Sequence, residues 1–192
     1  MWAGRFSKQV DAGVNAFNSA MAFDGRMYRH DIQGSIAHAT MLGEAGIITK
    51  EDSETLIKGL NEILADIDSG KLELDMTAED IHMFIEAELT KRFGSVGKRL
   101  HTSRSRNDQV ALDLRLYVHD EIKEVKELLH HLITTLTTIA SKHTETIMPG
   151  YTHMQRAQPI TFAHHLMAYA EMFLRDMDRL NDIDERTNVS PL

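Results

Sequence analysis

The 192 residues contain no cysteine. This excludes disulfides, thiolate metal sites and cysteine nucleophiles, and it fits a reducing compartment. No apolar run approaches the length needed to span a bilayer, and the N-terminus, Met1-Trp2-Ala3-Gly4-Arg5-Phe6, lacks the apolar stretch of a secretory signal. These absences point to a cytoplasmic protein with no membrane partner. Positive charge is scarce: 21 Lys and Arg against 29 Asp and Glu leave a net charge of −8, which disfavours a nucleic-acid partner. Also missing are a Gly-rich phosphate loop, a nucleophile elbow and a carboxylate–histidine metal motif.

What is present is helical periodicity. Asp24 to Gly43 reads as a helix closed by the Gly43/Gly46 pair. Thr49-Lys50-Glu51-Asp52 resembles a capping box ahead of Leu56, Leu60, Ile63 and Ile67. Thr77-Ala78-Glu79-Asp80 repeats that start signal ahead of Ile81, Phe84, Ile85 and Leu89. Further on, Val118, Ile122, Val125, Leu129, Leu132, Leu136 and Ile139 form a heptad seam. It lies on a helix from about residue 108 to 143, roughly 50 Å long. Pro149-Gly150 breaks it, and a second long helix carries Phe162, Leu166, Tyr169, Phe173, Met177 and Leu180 on one face.

The expected fold is all-α, with strands limited to short pieces around residues 71–75 or in connecting loops. A small N-terminal helical domain, 1–105, precedes 106–192, the first part of a central long-helix bundle that is incomplete at its C-terminus. Two helices cannot cover both of their own apolar stripes, so further chain or further subunits must cover them.

Two polar islands interrupt this pattern. The first is Thr102-Ser103-Arg104-Ser105-Arg106-Asn107-Asp108-Gln109. Arginine offers a planar fork of donors that fits a carboxylate, and a helix N-terminus adds unpaired N–H groups. The island reads as a receptor for a carboxylate-bearing small molecule; the alternative is a solvated loop with an N-cap. The second is Tyr151-Thr152-His153-Met154-Gln155-Arg156-Ala157-Gln158-Pro159. Here an imidazole beside a hydroxyl and amides suits proton transfer; the alternative is an ordinary interhelical turn. The islands lie at opposite ends of one long predicted helix, so a shared site requires an antiparallel neighbour. The adjacent pairs His130-His131 and His164-His165 diverge around their helices and form no metal clamp.

Taken with Trp2-Ala3-Gly4-Arg5-Phe6, Phe17-Asn18, Asp31-Ile32-Gln33-Gly34-Ser35, Glu79-Asp80-Ile81-His82 and His101, these islands resemble the argininosuccinate lyase family, of the fumarase/aspartase superfamily. The resemblance runs in order over the whole chain. It implies a homotetramer around a bundle of long helices, with each active site assembled from three subunits. It also implies cleavage of argininosuccinate to arginine and fumarate by β-elimination, with no cofactor and no metal. By position, Asn107 and Thr152 match substrate-carboxylate contacts, and Ser105 and Arg106 line the same pocket. His153 matches the catalytic histidine, as organiser or proton relay, with Thr152 beside it. Asp24 matches an acidic position near the arginine moiety. Asp80 and His82 match positions near the site, although Asp80 could equally complete the capping box after Thr77.

Two departures from the family stand out. Ala20 occupies a position where a serine is usual, with Ser19 beside it. The family chain also continues past the equivalent of Leu192 into a loop bearing the catalytic serine, so the 192 residues are expected to be an inactive N-terminal portion. Other readings are a different fumarate-releasing lyase of the superfamily, or a non-catalytic crystallin-like protein.

Overall fold

The computed structural model describes residues 11–192; the Trp2–Phe6 motif lies outside them. The chain divides into two compact units, one running up to Leu114 and including Pro191–Leu192, the other Arg115–Ser190.

The first unit is helical. Helix α1 (Ala12–Asn18) is followed by α2 (Met21–Asp24), a 3-10 turn (Gly25–Met27) and α3 (Tyr28–Glu44). Next come α4 (Lys50–Asp68), α5 (Ile81–Phe93) and a second 3-10 turn (Gly97–His101). The helix expected from Asp24 is thus split, and the long segment starts at Tyr28. Of the two glycines read as its stop, Gly46 takes the left-handed conformation at φ 67°, while Gly43 lies within α3. Thr49 caps α4, its hydroxyl accepting from the Asp52 N–H at 3.1 Å. The expected cap at Thr77 does not form: its N–H and hydroxyl both donate to Asp75, at 2.9 and 2.6 Å. Asp80 caps α5 instead, accepting from the Met83 N–H at 2.6 Å.

The core of this unit joins Ile32 and Leu42 of α3, Leu56, Leu60 and Ile63 of α4, and Ile81, Ile85 and Leu89 of α5. These side chains are fully buried, each worth roughly 1.5–3 kcal/mol of transfer free energy. Gly59 lets α4 and α5 approach closely, since a Cβ there would sit 2.4 Å from a Phe93 ring carbon.

Helix α6 (Arg106–Ser141) is 36 residues long and crosses the division between the units. Its second part forms the second unit with a hairpin, β1 (Ile147–Thr152) and β2 (Gln155–Thr161), and helix α7 (Phe162–Thr187). Within this unit α6 and α7 run antiparallel, tied by His119 to Asp184 at 2.5 Å and by Lys126 to Asn181 at 2.6 Å.

The hairpin is the one part of the described residues that departs from the helical expectation, and it falls in a connecting loop. Its strands pair Ile147 with Thr161 and Pro149 with Pro159, then shift register so that Tyr151 meets Arg156 and Thr152 meets Gln155. Two β2 residues therefore oppose Gly150, as in a bulge.

Much of the predicted seam stays uncovered within the second unit. Ile122 is buried, but Val125, Leu132 and Ile139 are exposed, as is the neighbouring Leu128 at 62%.

Candidate functional site

The first polar island is both an N-cap and an arginine network. The Ser105 hydroxyl accepts from the Asn107 N–H at 3.3 Å, and Asp108 reaches back to accept from the Ser105 N–H at 2.8 Å. This is the reciprocal arrangement of a capping box. It leaves Ser105 and Asn107 exposed at the opening turn of α6. The two arginines diverge. Arg104 turns inward, its side chain only 5% exposed, and donates to the Ser35 hydroxyl at 2.9 Å. It is therefore a brace between the island and α3, and does not form a carboxylate receptor with Arg106.

Arg106 points to the rim. Its Nη1 donates to Gln109 Oε1 at 2.6 Å and to Glu86 Oε1 at 3.1 Å, and its Nε lies 3.7 Å from Asp80 Oδ2. Asp80 does not complete a capping box after Thr77; it is itself the N-cap of α5, and its carboxylate also faces the island. Asp24 lies within electrostatic reach of Asp80 and His82, and burial raises its carboxyl above the usual range. Ser19 does not stand in for the serine missing at Ala20, because its hydroxyl donates to the Ala78 carbonyl at 2.9 Å.

Behind Arg106 lies a buried cluster. His82 Nδ1 donates to Asp31 Oδ1 at 2.8 Å and sits 3.1 Å from Asp113 Oδ2. Gln109 Nε2 donates to the same Asp31 oxygen. All four side chains are buried, His82 and Asp113 completely. Burial alone would depress the imidazole pKa, but its contacts with Asp113 and Asp31 override that and raise it to about 9. Burial would likewise lift Asp31, yet the hydrogen bonds from His82 and Gln109 hold it below the usual carboxylate range. Burial pushes the Asp113 carboxyl up. The cluster therefore carries one negative, one positive and one near-neutral group, with His82 Nε2 and both Asp113 oxygens buried without a hydrogen-bond partner among the described residues.

Asp31, His82 and Asp113 are the one group among the described residues whose ligand atoms are close enough to hold a metal ion. At 2.8 Å the histidine nitrogen and the Asp31 oxygen are joined by a hydrogen bond.

The first unit thus brings together Asp24, Asp80, His82, Ser105, Arg106 and Asn107. Thr152 and His153 belong to the second unit, at the end of its hairpin. With Thr152 paired to Gln155, the connection is the two-residue loop His153-Met154. Both residues have positive φ, 48° and 61°, the requirement of a type I′ turn, which usually takes Asn and Gly. Both side chains project into solvent, Met154 at 96% exposure.

The sequence reading did not foresee the buried contacts of Asp31, Gln109 and Asp113, nor Glu86 as a partner of Arg106. A signal existed: Gln109 and Asp113 are four residues apart on α6 and so share one helix face.

A family model described as Lyase matches residues 4–192. The chain belongs to the lyase family. Among curated members it is 59% identical over its full length to the argininosuccinate lyase of Desulforamulus reducens and 59% to that of Heliobacterium mobile. It is 57% identical to that of Moorella thermoacetica. The chain spans 42% of the length of the first two relatives and 41% of the third. Among solved structures it resembles an EDDS lyase variant with bound fumarate, at a TM-score of 0.77 and 28% identity, over 97% of this chain and 37% of that one. A fumarate lyase:delta crystallin from Brucella melitensis shares the fold at a TM-score of 0.74 and 17% identity, over 99% and 45%.

Proposed function

We propose that the complete lyase carrying this sequence cleaves argininosuccinate to arginine and fumarate by β-elimination, a step of arginine biosynthesis. The observation that carries the reading is the gathering of Asp24, Asp80 and Arg106 around the opening turn of α6, in a chain 59% identical to curated argininosuccinate lyases. Ser105, Arg106 and Asn107, at the positive end of α6, receive a substrate carboxylate. The Thr152 hydroxyl adds a further donor. Proton removal from the carbon next to that carboxylate builds charge on it, so the same donors stabilise the aci-carboxylate from which the guanidinium group departs. Asp24 receives the guanidinium moiety; a cation arriving there offsets the burial that raises its carboxyl and restores the anion. Asp80 and His82 support the substrate pocket. His153, at the tip of the hairpin, organises or relays the proton. The elimination as proposed uses no cofactor and no metal.

We also propose a cytoplasmic homotetramer, with 1–105 as the N-terminal domain and 106–192 opening a central bundle. The apolar seam left exposed on α6 supports it. A second reading, another fumarate-releasing lyase, is favoured by the likeness to the fumarate-bound EDDS lyase variant. Assaying arginine beside fumarate separates the two. Replacing His153 by Asn in the complete enzyme is expected to lower turnover by about 10²- to 10⁴-fold with the assembly intact; wild-type turnover would remove His153 from the mechanism.

A further inference from the structure

We infer that Gln109 and Asp31, anchored by His82 and Asp113, are positioning residues for Arg106: the buried cluster fixes the orientation of the Gln109 amide, and the amide holds the guanidinium at the rim of the site. The inference rests on the reading above that Arg106 lines the substrate-carboxylate pocket.

The two ends of an amide side chain differ in chemistry but hardly in shape, so its neighbours decide which way it faces. Ionised Asp31 can only accept, and it therefore takes the Gln109 NH₂ group. That choice turns Gln109 Oε1 toward Arg106 Nη1, 2.6 Å away. With the opposite orientation the NH₂ group would meet the guanidinium donor to donor. Asp31 stays ionised in the interior because His82 donates to it at 2.8 Å, and Asp113 Oδ2 lies 3.1 Å from the same His82 nitrogen.

The consequence reaches the surface through Arg106, the one member of the chain of contacts that is part-exposed. Without Gln109, Arg106 keeps Glu86 and Asp80 as its acceptors among the described residues. Both lie toward α5, and they would draw the fork away from the opening turn of α6. The proposed chemistry gives Asp31, Gln109 and Asp113 no contact with substrate; their effect passes through Arg106.

The test uses the complete lyase, with fumarate absorbance from argininosuccinate as the readout and thermal melts to confirm folding. Gln109→Met keeps the length of the side chain and removes both hydrogen bonds. It is expected to raise KM about tenfold while kcat stays within about threefold, the pattern of lost ground-state positioning. Gln109→Glu keeps the acceptor for Arg106 but places a carboxylate against Asp31, so one proton must sit between them. Its KM is expected near wild type at about pH 6 and to rise by about pH 8.5 relative to wild type measured alongside. A merely structural role would shift melting without that pH-dependent KM. Wild-type KM in a folded Gln109→Met enzyme, or a Gln109→Glu profile parallel to wild type, overturns the inference. Arg106→Ala is the control. If it raises KM while the Gln109 variants do not, only the positioning role fails; if it leaves KM unchanged, the reading of Arg106 as a substrate contact fails with it.

Discussion

Raising the pH through 9 should remove about 3 kcal/mol of stability through His82 alone. The imidazole is shifted from 6.5 to about 9 by its two buried carboxylates, and each pKa unit corresponds to about 1.4 kcal/mol of preference for the charged form. A group whose folded pKa is raised stabilises the fold fully below its unfolded value and loses that contribution as pH climbs through the folded one. The window is therefore about pH 6.5 to 9.5. Asp113, pushed up by burial from 3.8 to about 7, acts in the same direction but at lower pH, because its ionisation adds a second negative charge beside Asp31. Asp31, held low, works oppositely, but only in acid near and below its ordinary 3.8. Urea denaturation followed by helical circular dichroism, in steps across this window, measures the effect against His82→Gln, which removes the titrating ring. Wild type should lose about 3 kcal/mol more than the variant between the two ends, and the imidazole of His82 should show protons on both nitrogens by NMR at about pH 7.5. Parallel stability curves, or a neutral ring at that pH, would refute the reasoning.

Met154→Gly should stabilise the hairpin by about 0.5–1 kcal/mol, seen as a small rise in melting temperature, because glycine holds φ 61° without the Cβ penalty; a fall of that size would argue against the type I′ turn. Gly59→Ala should destabilise by about 1–3 kcal/mol in denaturant titration, since the added methyl would sit 2.4 Å from a Phe93 ring carbon and 2.6 Å from a Leu89 methyl; a neutral effect would mean that α4 and α5 are less tightly apposed. The 192 residues on their own should release no fumarate from argininosuccinate, yet scatter light as more than one chain through the exposed α6 seam. Fumarate release or a clean monomer would contradict one half of that expectation each.

The helices were legible because their signals are local: period, caps and stops. Thr49 caps where its sequence says it should. Thr77 fails for an equally local reason, since Asp75, two residues back, takes its hydroxyl and N–H before it can cap anything. The hairpin was not legible. Its strands contain Pro149 and Pro159 directly opposite each other, each lacking an N–H, and its turn is His-Met where the conformation favours Asn-Gly. The strand pattern that would mark it is absent because little of its surface is buried.

The candidate site was legible only in its exposed half. Ser105, Arg106 and Asn107 stand together in sequence and at one helix opening. The groups behind them are brought together across the fold: Asp31 on α3, His82 on α5, and Gln109 and Asp113 on α6, with 51 positions separating Asp31 from His82 and 78 separating it from Gln109. No window along the chain contains that contact. What the sequence does carry is a cost: charged and amide groups on faces where Ile32, Ile81 and Ile85 are completely buried. Such groups persist in a core when partners offset their burial, and the offset here is partial: His82 Nε2, Asp31 Oδ2 and both Asp113 oxygens have no hydrogen-bond partner among the described residues. Polar residues at core positions of separate helices are therefore in themselves a sign that those helices share a partner. Here the shared partner is Asp31, which accepts from both His82 and Gln109, and through Gln109 the interior of the unit is coupled to the arginine at its surface.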